Sequence, residues 1–200
     1  MAELLQPEYE YKELSEGVSL LKIHDGKFKS NAVTVRFLTE YNSVDAAALA
    51  LIPAVISSCC AKYPTGKEFS QKLSALYGTS VSGSSDQKGD IYEIAFSVDY
   101  LDDKFALDGE DISHQACRLL LDCIFDPALE DEGFAKTEFE MRRNDLLDAI
   151  DGEINDKISY ALNIAYETVY RGEPSAMKYY GSRADVESIA PREAYEVYKK

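Results

Sequence analysis

Ile91-Tyr92-Glu93-Ile94-Ala95-Phe96-Ser97-Val98-Asp99-Tyr100-Leu101 is the stretch on which the fold turns. Tyr92, Ile94, Phe96, Val98 and Tyr100 share one face at period two, the pattern of a strand buried on one side. Upstream, across the polar loop Ser85-Asp86-Gln87-Lys88-Gly89-Asp90, Thr79–Ser84 reads as a second strand. Asn31–Glu40 alternates Ala32, Thr34, Arg36 and Leu38 against Val33, Val35 and Phe37 and gives a third. Val18–Ile23, closed by the turn signal His24-Asp25-Gly26, gives a fourth. The short, lysine-bearing connection predicts an antiparallel hairpin between the last two. Residues 1–16 are polar and acidic and read as a lead-in that ends at Gly17.

The remaining segments are helical. Asp45 precedes a long apolar stretch through Cys60, with Ser43 or Asp45 as N-cap and Pro53 in its middle. Pro64-Thr65-Gly66 breaks the chain, and Lys67–Tyr77 follows as an amphipathic helix with Gly78 just past its end. Ile112–Phe125 carries Ala116, Leu119, Leu120, Cys123 and Ile124 at helical spacing until Asp126-Pro127 stops it. A long helix is expected over Glu130–Ile150, its acidic start suiting the helix dipole. Further helices are expected from about Ile154 to Tyr170 and after Pro191. The fold class is therefore α+β, an antiparallel-dominated mixed sheet covered by helices, in one domain over residues 1–200.

Composition narrows the function classes. The chain has 200 residues, 46 % of them hydrophobic, enough for a packed core. Its 21 basic against 36 acidic residues leave a net charge of −15. Phosphate backbones and anionic leaflets repel such a surface, so neither nucleic acid nor membrane is an expected partner. No apolar run approaches the roughly 18 residues of a membrane span, and the N-terminus lacks a secretory signal's regions. A cytoplasmic location is the expectation. Cys59 and Cys60 are adjacent, while Cys117 and Cys123 point to nearly opposite sides of one helix, so buried free thiols are expected.

No catalytic constellation emerges from the residues. Only two histidines exist, His24 and His114, and of these only His114 has a cysteine, Cys117, at helical spacing. A zinc centre needs three or four converging ligands. The acidic run Asp99, Asp102, Asp103, Asp108, Glu110, Asp111 fails the calcium-loop rule, because Leu101 stands at its third position and Lys104 where the turn glycine belongs. Ser80, Ser82, Ser84 and Ser85 lack the GxSxG elbow, and no glycine-rich phosphate loop occurs. Tyr160, Tyr166, Tyr170, Tyr179 and Tyr180 read as amphipathic packing residues.

Several stretches, in order and spacing, resemble the insulinase/pitrilysin family of zinc peptidases over roughly residues 17 to 200. They are the Gly17–Ile23 strand, the helix before Lys62-Tyr63-Pro64-Thr65, and Leu76-Tyr77-Gly78-Thr79 entering a strand. Ile124-Phe125-Asp126-Pro127 then precedes the long helix, and Tyr180-Gly181-Ser182 with Val186-Glu187-Ser188-Ile189 precedes the last one. The likeness is nearest to the inactive branch of that family, whose members pair with a zinc-bearing relative. It implies a metalloendopeptidase-like half, similar to mitochondrial processing peptidase, as the N-terminal part of a longer chain with a second α+β half.

In active relatives the first long helix carries HxxEH, two zinc ligands and a glutamate that activates water. Those positions fall here on Leu51, Ala54 and Val55, or one residue earlier on Ala50, Pro53 and Ala54. The third ligand position falls on Ala149, with Asp145 and Asp148 nearby. No catalytic, cofactor or metal residue carries over, and no cofactor is expected. The resemblance implies a non-catalytic subunit that binds peptide or a zinc-bearing homologous partner, with self-association in isolation. The alternatives are a zinc-dependent endopeptidase whose site is completed outside this segment, and a purely structural interaction domain.

Overall fold

The structure is a computed structural model that describes residues 8–200, leaving aside the side chain of Asp108. Ile91–Leu101 is the centre of the main sheet, as its alternation requires. This strand, β5, lies between β3 (Ser30–Glu40) and β4 (Ser80–Lys88), antiparallel to both. Tyr92, Phe96, Val98 and Tyr100 are buried from it. β3 pairs with β5 over its whole length, from Ser30 opposite Leu101 to Glu40 opposite Ile91.

The expected hairpin between the first two sequence strands does not form. Val18–His24, β2, pairs instead with β1 (Glu8–Ser15), placing Tyr9 opposite Ile23 and Tyr11 opposite Leu21. The polar lead-in is thus a strand from Glu8 onward, while residues 1–7 of it lie outside the described residues. Two-residue turns hold ribbons best, and Glu16-Gly17 provides one where 25–29 is a longer link. Every side chain of β1 and β2 is exposed, and the ribbon is separate from the three-stranded sheet.

The loop expected at Ser85–Asp90 shrinks to Gly89-Asp90. Gly89 takes φ +66°, which a tight hairpin turn requires, and strand pairing runs to Lys88 opposite Ile91. Polarity misled here because β4 turns alternate residues to solvent.

Helix α1 (Ala46–Ile56) fills the centre of the core, with Leu51, Ile52, Val55 and Ile56 all at 3 % exposure or less. Asp45 is its N-cap residue but spends its carboxylate on Lys200 Nζ, 3.0 Å away, rather than on the helix. α1 packs on β4 and β5. Helix α2 (Gly66–Ala75) opens with a reciprocal capping box between Thr65 and Glu68. Helix α3 (Ile112–Phe125) lies on β5 and ends at Asp126, as expected.

The long helix starts later than its acids suggest. Leu129–Glu130 (β6) and Gly133–Phe134 (β7) make a miniature hairpin, with Asp131 and Glu132 at positive φ in its turn. Helix α4 then runs Lys136–Gly152, and Glu130 still serves it by accepting the Lys136 N–H at 3.1 Å. α5 spans Lys157–Val169, capped by Asp156. Residues 183–188 form a short helix that hydrophobic spacing did not reveal, α6 (Arg183–Ser188), capped reciprocally by Ser182 and Asp185. α7 (Pro191–Tyr198) closes the chain, and α1 touches α4, α6 and α7. The architecture is α+β, and all strand pairs among the described residues are antiparallel.

Candidate functional site

Two adjoining clefts follow the outer edge of β4, the edge with no strand beside it among the described residues. The smaller, about 330 Å³, lies where α1, β4 and α4 meet. Its α1 wall is Ala50, Leu51, Pro53 and Ala54, its β4 wall Gly83, Ser84 and Ser85, and α4 adds Arg142, Asp145 and Leu146. Gly83 is needed at its base, because a Cβ there would stand 2.2 Å from the Pro53 carbonyl oxygen. Helix and strand therefore meet backbone to backbone.

The geometry discriminates between the two sequence registers. Ala50, Pro53 and Ala54 all line the cleft, as residues at i, i+3 and i+4 of one helix face must. Of the other register, Leu51 and Ala54 line it, while Val55 turns into the core at 2 % exposure. Ala149 is exposed and is not on the cleft wall, nor is Asp148. Asp145, one turn earlier on α4, does line it, but its carboxylate holds the Arg142 guanidinium at 3.0 Å. A zinc ion needs several lone-pair donors around it. Alanine, leucine, valine and proline side chains have none, and the one carboxylate here already faces a cation. The residues do not fit the metal.

The other sequence candidates have structural roles or stand apart. His24 is exposed on the β1–β2 ribbon and His114 is exposed on α3. Asp102 accepts the Lys104 N–H, and Asp103 accepts the Ser113 N–H at 2.8 Å, the bond that holds its carboxyl below the usual range. Among the described residues no three His, Cys, Asp or Glu side chains converge as a metal site would need. The four cysteines are free. The Cys60 and Cys123 thiols act on one another, which lowers the Cys60 thiol to about 7 and raises that of Cys123.

The larger cleft, about 590 Å³, continues past Tyr179, which lines both. One wall is Asp86–Gly89, the opposite one the α5 face of Asn163, Tyr166, Glu167 and Tyr170. At its floor Glu153 receives the Lys178 ammonium at 2.7 Å and the Tyr180 hydroxyl at 2.9 Å. Burial draws the Lys178 ammonium down, but Glu153 and Tyr180 outweigh it and hold it well above its ordinary value. Burial pushes the Tyr180 hydroxyl up to about 12. The expectation that the tyrosines are packing residues holds for Tyr180, at 3 % exposure. It fails for Tyr166 and Tyr170, which stack on one another at 5.9 Å on a helix with no buried residue. Amphipathic spacing shows which residues share a face, not whether anything covers it.

No protein-family model matches the chain. It is 25 % identical over 190 residues to a probable inactive metalloprotease, YmfF, of Bacillus subtilis (strain 168), a match covering 95 % of this chain and 45 % of the relative. Among solved structures, a conserved protein from Enterococcus faecalis V583 superposes with TM-score 0.85 at 23 % identity, over 96 % of this chain and 45 % of the other. A peptidase M16 inactive domain from Pseudomonas fluorescens follows at TM-score 0.70 and 15 % identity, covering 96 % of this chain and 43 % of that one. This chain thus spans less than half the length of these three proteins. Its fold is that of M16 peptidase-like domains, and its resemblance is to inactive insulinase-like proteins.

Proposed function

We propose that this chain is a non-catalytic, peptidase-like domain that holds an extended peptide along the free edge of β4. It works beside a zinc-bearing homologous subunit. The observation that carries the reading is the smaller cleft, where an unpaired strand edge runs past Ala50, Pro53 and Ala54. An open edge offers backbone N–H and C=O groups that a peptide strand can take up without any chemistry being done on it. The positions that would hold zinc in active relatives carry hydrocarbon instead, and the cation in the cleft is the Arg142 guanidinium.

The partner is argued from uncovered apolar surface. Tyr9, Leu20, Leu21 and Ile23 of the ribbon, and Ile158, Leu162 and Val169 of α5, are 49–76 % exposed. Exposed apolar side chains of this kind mark interaction sites, and in isolation they favour self-association. No helix among the described residues is long and apolar enough to cross a membrane. That fact and the acidic balance support a cytoplasmic site of action.

Co-expression of this protein with an HxxEH homologue, followed by co-purification and a peptidase assay, tests the pairing. Co-elution and altered activity are expected. Homologue activity indifferent to this protein, without association, overturns the subunit reading. Zinc at one equivalent in this chain, with chelator-sensitive cleavage of unstructured peptides, returns the function to an endopeptidase.

A further inference from the structure

We infer that the smaller cleft receives the free C-terminal carboxylate of the bound peptide, with the Arg142 guanidinium as its receptor. This rests on the peptide-holding reading above. Among the described residues, Arg142 is the one cation that lines this cleft and Asp145 the one anion. The guanidinium spends a single donor on that anion, Nη1 donating to Asp145 Oδ2 at 3.0 Å. Nε is buried without a partner, and Nη2 bonds to no protein group among the described residues. A planar fork of five N–H donors is matched to a carboxylate, and most of this one is unspent.

The bond to Asp145 is no obstacle. The two side chains sit three residues apart on α4 and are 32 % and 59 % exposed, and exposed pairs of this kind hold weakly. A ligand carboxylate takes up the guanidinium while Asp145 keeps its water. The buried Nε–H gains most, because a donor left unpaired away from solvent is costly. The chain's net charge of −15 repels polyanions, so the guest is a peptide whose one strong anion is its own terminus.

Sterics call for the end of a chain rather than its middle. At Gly83, β4 and α1 meet backbone to backbone, with the Pro53 carbonyl oxygen 2.2 Å from where a Cβ would stand. A strand laid along β4 toward Gly83 stops at that contact. Its last group is a carboxylate or an ammonium according to its direction, and Arg142 selects the carboxylate. The terminal side chain meets apolar walls, Ala50, Leu51, Pro53 and Ala54 from α1 and Leu146 from α4. The volume, about 330 Å³, is at the small end of ligand pockets and suits a chain end.

The test compares three short probes followed by amide NMR of the chain. They are acetyl-Ala-Ala-Leu with a free carboxylate, the same tripeptide as its C-terminal amide, and Leu-Ala-Ala-amide with a free ammonium. The acid is expected to shift Ala54, Ser84, Ser85 and Leu146, and to bind about tenfold more tightly than either other probe. Raised salt should weaken the acid and spare the amide. Arg142→Gln should bring the acid down to the level of the amide, and Arg142→Lys should restore part of the difference. Asp145→Asn should tighten the acid about twofold by freeing the guanidinium, which a merely structural Arg142 would not do. Equal binding of acid and amide, shifts away from the smaller cleft, or an acid affinity unchanged in Arg142→Gln overturns the inference. Two ten-residue peptides, one blocked at both ends and one only at its N-terminus, then report on β4 by fluorescence anisotropy. If the acid tripeptide binds and neither long peptide does, the strand-holding reading fails while the carboxylate site stands. If both long peptides bind alike, the peptide reading stands and the carboxylate site falls.

Discussion

Gly83 and Pro53 touch through their backbones: a Cβ at residue 83 would lie 2.2 Å from the Pro53 carbonyl oxygen and 2.6 Å from its carbon. That oxygen is already committed, accepting the Ser57 N–H at 3.1 Å near the end of α1. β4 is pinned in turn by its register, with Gly83 opposite Phe96. Neither side can withdraw freely, so the width of the smaller cleft is set by the absence of one methyl group.

Gly83→Ala should therefore destabilise the fold by about 1–3 kcal/mol or more, since overpacking forces backbone apart. Urea denaturation followed by circular dichroism measures this. The double variant with Pro53→Ala should not recover the loss, because the clash is with a carbonyl that every residue has. Full recovery would show that the proline ring, not the backbone, makes the contact.

Histidine substitutions on α1 should distinguish its faces. Leu51→His and Val55→His place imidazoles where the native side chains are 1 % and 2 % exposed, and each should cost about 3 kcal/mol or more. Ala54→His should cost much less, as Ala54 is half-buried and faces the cleft. The pair Ala50→His/Ala54→His should take up more zinc than Leu51→His/Val55→His, read by elemental analysis after gel filtration. The reverse order would refute the register assigned by the structure.

Glu138 ties two helices that sequence alone leaves unrelated. Its Oε1 accepts the Gly66 N–H at 3.2 Å, at the start of α2, and Glu138 itself is 9 % exposed. Glu138→Ala leaves that half-buried donor without its partner and should cost about 1 kcal/mol. Glu138→Gln keeps an acceptor and should cost less. Equal melting of the two variants would remove this bond from the account.

Thiol labelling should follow accessibility rather than acidity. Cys59, Cys60 and Cys123 are 2 % exposed or less, and burial pushes the Cys59 thiol up to about 11. Cys60 is held down to about 7 beside the Cys123 thiol, yet at 0 % exposure a reagent has no path to it in the folded chain. The half-buried Cys117, 3.9 Å from the Tyr100 hydroxyl, should react first at pH 8, with the other three waiting for denaturant. Rapid native labelling of Cys60 would mean that the α1 end opens readily. The sign of the pH dependence follows Cys59: burial raises its thiol from near 9 to about 11, so its contribution to stability is complete below pH 9 and is lost as pH rises through about 11.

Amide exchange should be fastest, among the strands, in the β1–β2 ribbon. All its side chains are exposed and, among the described residues, it pairs with no third strand, and a lone two-stranded ribbon is marginal in water. β5, paired on both sides, should exchange slowest. Slow exchange in Leu20–Ile23 would show that another molecule covers the ribbon in solution.

Local pattern decided much of this protein. The period-two run of Tyr92 to Tyr100 marks a half-buried strand in any context, and Asp126-Pro127 and Pro191 place helix ends by backbone sterics alone. The loss of HxxEH is likewise a property of residue types, since no packing gives alanine or leucine a lone pair. Partner choice was another matter. Val18–His24 would make an acceptable hairpin with either neighbour, and the tight turn at Glu16-Gly17 settled it in favour of Glu8–Ser15. Which helix turn faces the cleft depends on how α1 is rotated against β4, and the Gly83–Pro53 contact, between residues thirty positions apart, fixes that rotation. The larger cleft has the same origin: α5 reads as amphipathic, but only the folded chain leaves its tyrosine face open across from Asp86–Gly89. Periodicity is a short-range property of the chain, whereas covering a face takes a second element brought from elsewhere in it.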